Sequence, residues 1–455
     1  MKRIAWRCLA ASSLLIAALA ASAETRPQYG GTLHVSIREA PVSLDPADHA
    51  TSDSFGRRSL AAMIFETLVT VDKSGRVNPL LAESWQARGN RRWQFRIRPN
   101  ISFHDGSPVT AESVAASLRF ATPSWNVVAD HGAVIIESDS SEHDLLAELA
   151  LPRNAVAKRD SDKLSGTGPF HIVDWQPGKE LRLGADENCW RGRPFLDGIE
   201  IELGRSFRDQ MAALQLGKAD LIEMAPEQTR RVSQQGEVLV SSAPMELLAL
   251  VFAQDAASPE DKSLREALGW SLERGSMRDV LLQGAGQATG SILPGWMSGF
   301  GFVFPSNADL AKARSLRGAG RVIPNWKLGY DSADPLNRLL AERISLNARD
   351  AGLSLQPTSA TITDLRLVRI PLASSDPWIA LQNLIAEAGL PAVTSKGRSI
   401  EDLYAAEAAV LATRRLIPLF HLPVSYASAS TLKNWSLRAD GSLNLGDAWL
   451  ESVRQ

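Results

Sequence analysis

The sequence predicts an α/β chain folded as two lobes. Its 455 residues, 44% of them hydrophobic, exceed what one hydrophobic core usually supports. Strand-like alternation and helical periodicity take turns along the chain. A self-contained strand, helix, strand unit at 326–355 lies far from the strand-to-helix transition at 32–68, so each lobe has the makings of its own core.

Taken in order, Lys2, Arg3 and Arg7 precede an apolar run from Leu9 to Ala20, and Ala21-Ser22-Ala23 supplies a small-x-small cleavage pattern. The expectation is a signal peptide over residues 1–23. A transmembrane anchor is the competing reading, but a span needs about 20 apolar residues and this run has about a dozen. Cys8 sits ahead of the apolar run, where lipid attachment is not expected, so Cys189 is left as the single cysteine after cleavage and has no disulfide partner within the chain. Cleavage would remove three of the 49 basic residues and none of the 51 acidic ones. The mildly acidic remainder argues against a nucleic-acid partner.

Leu33, Val35 and Ile37 alternate with polar residues as a half-buried strand, and Leu60, Met63, Ile64 and Leu68 then fall on one helical face behind a cap region at Ser52-Asp53-Ser54. Trp93, Phe95 and Ile97, followed by Ile101 and Phe103, read as two strands around the Pro99-Asn100 turn. A helix with Thr110 as N-cap runs from Val109 to Phe120. Residues 121–165 are polar and loop-rich. Phe170 to Trp175, Leu181 with Leu183, and Ile199 to Leu203 form a meander. In the 326–355 unit Pro335 opens the helix and Gly352 ends it. Leu403 to Leu411 predicts a further helix before an apolar run, Leu416 to Leu422, that Pro418 interrupts.

Catalytic and metal sites are hard to assemble from these residues. The glycines of Gly284–Gly290 have the wrong spacing for a dinucleotide loop and suggest a mobile loop instead. Asp160-Ser161-Asp162 lacks the later ligands of a calcium loop and reads as a solvated turn. The seven histidines show no paired helical spacing, so neither a metal site nor a cofactor is expected. Without a nucleophile, base and orienter set, an exported hydrolase is the weakest reading. Trp93, Trp175 and Trp326 lie in strand alternations as structural residues, whereas Trp296 and Trp378 sit at loops, where an aromatic face could cover a ligand.

The chain resembles the bacterial extracellular solute-binding proteins of family 5, the binders of dipeptides, oligopeptides and nickel. The resemblance begins at Gly30-Gly31-Thr32-Leu33 and Leu44-Asp45-Pro46. It is most specific over Pro79-Leu80-Leu81-Ala82-Glu83-Ser84-Trp85, Trp93 to Arg98, and Phe103-His104-Asp105-Gly106 through Val114. Gly166-Thr167-Gly168-Pro169-Phe170, Asn188 to Asp197, Leu264 to Leu268 and Ile417 to His421 continue it in order.

The resemblance implies a class II-like periplasmic-binding-protein fold in which two α/β lobes, joined by two crossings near 246–252 and 417–422, enclose ligand in a cleft. Residues 24–245 would form lobe I, with 61–164 as a subdomain, and 246–421 lobe II, with 422–455 returning to lobe I. His104 and Asp105 would shape a turn. The implied role is capture of a peptide or other small solute and its delivery to an ABC permease and ATPase complex by a monomeric periplasmic protein. A non-transport signalling or chaperone-like protein of the same fold is the alternative.

The family's peptide binders carry a Trp-x-x-Asp-Tyr-Pro-Asp-Pro stretch whose first aspartate holds the ligand's amino group. Arg369 to Pro377 aligns there, with Ile370 at the tryptophan, Ala373 at that aspartate, and only Asp376-Pro377 retained. Residues 121–165 and 378–402 are short for the family. Candidate ligand-lining residues are Arg38, Glu39 and Ala40, Trp296, Arg369 and Trp378, and Tyr426. Arg366 and Arg369 could anchor an anion, or could be solvated strand residues.

Overall fold

The computed structural model describes residues 26–451 apart from 49, 51–52, 73, 90, 139–141, 161–162, 230–236 and 394–396. The expected signal peptide, with Cys8, lies outside the described residues, as do two positions of the 160–162 turn.

Strand β1 (Thr32–Ser36) buries Leu33 and Val35 and leads to helix α1 (Phe55–Ile64), which Ser54 caps by accepting the Arg57 N–H. Strands β2 (Ala82–Ala87) and β3 (Arg92–Ile97) follow, then helix α2 (Ala111–Ala121), where Thr110 and Ser113 form a reciprocal capping box. The second strand expected after Pro99-Asn100 does not form. Asn100 adopts a left-handed conformation, and the segment beyond it makes only an isolated bridge, Ser102 to Pro108.

The partner of β3 comes instead from the stretch that reads as loop. Strands β4 (Asn126–Asp130) and β5 (Ala133–Glu137) complete a four-stranded antiparallel sheet in the order β2-β3-β5-β4. With α2 and helix α3 (Glu142–Leu149), this sheet encloses a core containing Phe95, Val114, Leu118, Val134 and Leu145.

The meander appears as β6 (Phe170–Gln176), β7 (Glu180–Ala185) and β8 (Gly198–Glu202), and strand β9 (Leu221–Met224) pairs parallel to β1. Two long strands then run through the molecule, β10 (Val238–Phe252) and, later, the antiparallel Leu416–Ser428. Between them lie the two-residue strand β11 (Gln287–Ala288), the parallel unit of β12 (Asn325–Gly329), helix α4 (Pro335–Asp350) and β13 (Ser354–Thr358), and strand β14 (Leu365–Pro371). Helices α5 (Pro377–Glu387) and α6 (Ile400–Ala412) precede the second long strand, β15 (Leu416–Ser428).

All these strands except β2 to β5 belong to one eleven-stranded sheet with the path β6-β7-β8-β1-β9-β15-β10-β14-β12-β13 and β11 beside β15. Its two halves are the sheets of two lobes, and β10 and β15 are the crossings. Their register shifts between Ser241 and Glu246, slightly ahead of the stretch expected from sequence. A second shift between Leu248 and Ala249 lets Pro418 occupy an interior strand, because a bulge removes the need for its missing N–H.

One core packs around Leu33, Ile64, Phe170 and Tyr426, another around Leu250, Phe252, Leu340 and Leu419. Trp93 and Trp326 are buried in cores and Trp175 packs against one. The glycine-rich 284–290 loop differs from expectation, since Gln287 and Ala288 pair with His421 and Phe420 and so fasten it to the sheet.

Candidate functional site: the cleft between the lobes

Two cavities open where the lobes meet, one of about 780 Å³ and one of about 650 Å³. They adjoin, because Ala61, Leu151, Pro152 and Ala373 line both. Ala61 lies on α1, Leu151 and Pro152 follow α3, and Ala373 follows β14, so both lobes build the walls. Ala373 is also the position where an aspartate is expected in the family's peptide binders, and a methyl group stands there in place of a charge.

Arg58 joins the parts. It shares a helical face with Ala61 and Phe65 and is 2% exposed. Its Nε and Nη2 donate to the Asp53 carboxylate, while Nη1 donates to the carbonyls of Leu372 (2.7 Å) and Asp440 (3.1 Å). Burial alone would push the Asp53 carboxyl up, but the Arg58 guanidinium outweighs it and holds it below its usual range. One side chain thus ties α1 to the segment ahead of Ala373 and to the turn at 438–442. Two further contacts cross the cleft: Arg153 donates to Asn383 (2.9 Å), and Ala147 and Leu151 pack on Ile379.

The larger cavity has a charged end. Glu66, which is buried, accepts from the Trp190 indole (2.7 Å) and the Thr167 hydroxyl (3.0 Å), and pairs with Arg191 at 3.1 Å. Burial raises its carboxyl above the usual range despite those partners. Arg438 and Asp440 complete this end. Asp440 accepts from the Ser442 N–H (3.0 Å) and hydroxyl (2.6 Å).

None of the seven residues expected to line the ligand borders these two cavities. Arg38 donates to Asp334 at 3.3 Å and lies over the Phe207 ring, and Arg369 donates to Glu246 and to the same Asp334, each at 3.2 Å. These two therefore meet through one carboxylate. Glu39 accepts from Ser54 and the Arg57 N–H, and fully buried Tyr426 lies near Glu39 and Glu223. Ala40 is exposed. The Trp296 indole donates to the Pro244 carbonyl at a crossing, and its ring is half exposed.

Trp378 stands in the first turn of α5 and is packed into a hydrophobic core, not presented at a loop. Arg366 is exposed on its strand. His104 and Asp105 do shape turns: the Gly166 N–H donates to His104 Nδ1 and the ring's Nε2–H to the Gly168 carbonyl, while Asp105 accepts from Ser107.

Among the charged residues that line the cavities and escaped the sequence reading are Arg58, Glu66, Arg191 and Arg438. Arg58 had a local signal, a charge on a helical face shared with Ala61 and Phe65. Glu66 had none, because its partners Thr167, Trp190 and Arg191 are distant in the chain. Among the described residues no group of three or more His, Cys, Asp or Glu side chains could hold a metal ion.

A two-lobed α/β fold with paired crossings and a cavity walled by both lobes defines a bilobal binding protein. The chain belongs to the bacterial extracellular solute-binding proteins, family 5, whose model matches residues 76–363. Among curated relatives it is 26% identical over 270 residues to the nickel-binding protein NikA of Staphylococcus aureus, a match covering 56% of this chain and 55% of that protein. It is 24% identical to the oligopeptide-binding protein AppA of Bacillus subtilis over 63% of this chain and 57% of AppA. The chain spans about half the length of the curated relatives it matches.

In fold it is similar to a dipeptide-binding protein from Pseudoalteromonas in complex with Met-Leu, with a TM-score of 0.79 at 15% identity. That match covers 92% of this chain and all of the other. It is also similar to the NikA structure from S. aureus, with a TM-score of 0.76 at 18% identity and the same coverage.

Proposed function

We propose that this protein is the substrate-binding component of an ABC importer, holding a small solute between its lobes and presenting the closed form to a membrane permease. The observation that carries this reading is the pair of adjoining cavities whose walls come from both lobes. A ligand that touches both Ala61 and Ala373 has differential affinity for the closed state, and that difference is what drives closure. The family is one of solute-binding proteins, and relatives named for binding nickel, oligopeptides and glutathione support a small-solute cargo.

In this reading residues 24–245 and 422–455 move as one lobe and 246–421 as the other. Work outside the cytoplasmic membrane follows from the leader-like start at 1–23, whose removal on export belongs to the same proposal. Arg38 and Arg369 act by latching the lobes through Asp334 and do not touch ligand.

The test is a thermal-shift screen over peptides, metal chelates, sugars and organic acids, followed by small-angle scattering with any ligand that stabilises. A compound that raises the midpoint and reduces the radius of gyration is the expected result. Stabilisation without compaction, or hydrolysis of a screened compound, would count against a receptor.

A further inference from the structure

We infer that the charged end of the larger cavity is an anion subsite, with Arg438 as the anchor for a ligand carboxylate. This rests on the receptor reading and names the class of solute the receptor takes: a small organic acid whose recognition needs no ammonium group.

Among the described residues Arg438 is a guanidinium without a counterion in contact. Among the described residues its side chain makes no hydrogen bond or ion pair, and its Nε is buried without a partner. Its two Nη atoms keep accessible surface at the cavity and have no partner among the described residues. Four charged groups act on it, Asp440, Arg191, Glu66 and Asp447. Arg191 is already paired with Glu66, and Asp440 turns one carboxylate oxygen to Ser442. Burial, with Arg191 adding repulsion, depresses the Arg438 guanidinium, whereas Asp440, Glu66 and Asp447 favour its charge from beyond ion-pair distance. A carboxylate in the cavity would meet the open Nη edge of the guanidinium with two parallel hydrogen bonds.

The surroundings are built for a fixed ligand group. Arg438 opens the turn between the short strands Ser436–Leu437 and Leu443–Asn444, whose leucines are buried in the lobe I core. Its own N–H donates to the Ser442 carbonyl (2.8 Å), and Arg58 holds the Asp440 carbonyl from beneath. The turn is therefore rigid where the anchor leaves it. Across the cavity, Ala373 supplies no carboxylate to hold an ammonium group, and Ser374 and Ser375 supply hydroxyls. Ala61, Phe65, Ala147 and Leu151 give the remaining wall an apolar character suited to a compact hydrocarbon body.

The experiment uses the exported full chain and the variants Arg438→Gln, Arg438→Met and Arg438→Lys, each checked for unchanged circular dichroism. Native mass spectrometry first identifies any molecule that co-purifies. Calorimetric titration then compares N-acetyl-leucine, which has a carboxylate and no ammonium, with leucinamide, which has the reverse, with N-acetyl-leucinamide, which has neither, and with inorganic phosphate.

The expected result is an acidic co-purifying molecule or binding of N-acetyl-leucine alone. Affinity should fall at least about tenfold in the Gln and Met variants and recover in part with Lys. Preference for leucinamide or phosphate, a neutral or cationic co-purifying ligand, or equal binding by Arg438→Met would overturn the anchor and leave the receptor reading standing. No co-purifying molecule and no binding of any probe or screened solute would overturn both.

Discussion

Ile292 shows how one residue's backbone can be held from both sides by titratable groups. Its N–H donates to Glu407 Oε1 at 2.5 Å, and its carbonyl accepts from His421 Nε2 at 2.9 Å. Glu407 is fully buried and also accepts from the Ser291 hydroxyl and the Leu293 N–H. Burial still dominates and pushes its carboxyl up to about 7, while burial pulls the His421 imidazole down to about 4.

The two residues have opposite signs. The Glu407 contribution is complete below its unfolded value of 4.5 and is lost as pH rises through about 7. The His421 contribution is complete above 6.5 and is lost as pH falls through about 4. Glu407→Gln should therefore gain on the native protein as pH rises from about 5 to about 8, by up to about 3 kcal/mol in urea unfolding. A difference between the two proteins that is constant over that range would mean that Glu407 is already ionised in the folded state. Glu407 was not legible as a site residue, since a glutamate on a helix ordinarily faces solvent and only the fold brings 291–293 to it.

At the scale of elements, the informative case is the 284–290 segment. Glycines there suggest mobility, yet Gly286 and Gly290 each have a packing reason. A Cβ on Gly286 would come within 2.8 Å of the His421 carbonyl and 2.7 Å of Leu422, and the residue's φ of +72° lies in the left-handed region. The glycine thus permits the close approach that lets Gln287 and Ala288 add to the sheet. Gly286→Ala should destabilise by about 2 kcal/mol and raise hydrogen exchange at Thr289, whose N–H donates to the Leu419 carbonyl. Unchanged protection at Thr289 would show that the loop tolerates the methyl group by moving elsewhere.

The 121–165 stretch makes the complementary point. Ala133–Glu137 has strand-forming residues, but its partners, β3 and β4, are chosen by the fold, and polar neighbours on both sides obscure its short pattern.

At the scale of the molecule, the lobes are held by contacts of different kinds. Asp334 is 3% exposed, caps α4 by accepting the Leu336 N–H at 3.0 Å, and receives Arg38 from lobe I and Arg369 from lobe II. Asp334→Asn keeps an N-cap and removes the charge that both arginines share. The ligand-free protein should then expand in small-angle scattering, with the closed state weakened by on the order of 1–3 kcal/mol and ligand affinity reduced accordingly. An unchanged radius of gyration would show that the Arg58 and Arg153 contacts suffice to hold the lobes together.

The sequence by itself determined the α/β class, the two lobes, most element boundaries and the family, because periodicity, caps and turn residues act over short chain distances. Thr110, Pro335 and Gly352 each announce an element boundary locally. It also marked Ala373 as the altered position in the cleft.

Only the tertiary structure decided which charges are free. Arg369 looked available and is ion-paired with both Glu246 and Asp334, whereas Arg438, which carried no signal in the sequence, stands at the cavity with no ion pair among the described residues. The physical reason is that a guanidinium's role depends on which charges reach it, and for Arg369 those come from Glu246 and Asp334, far along the chain, where no local pattern encodes them.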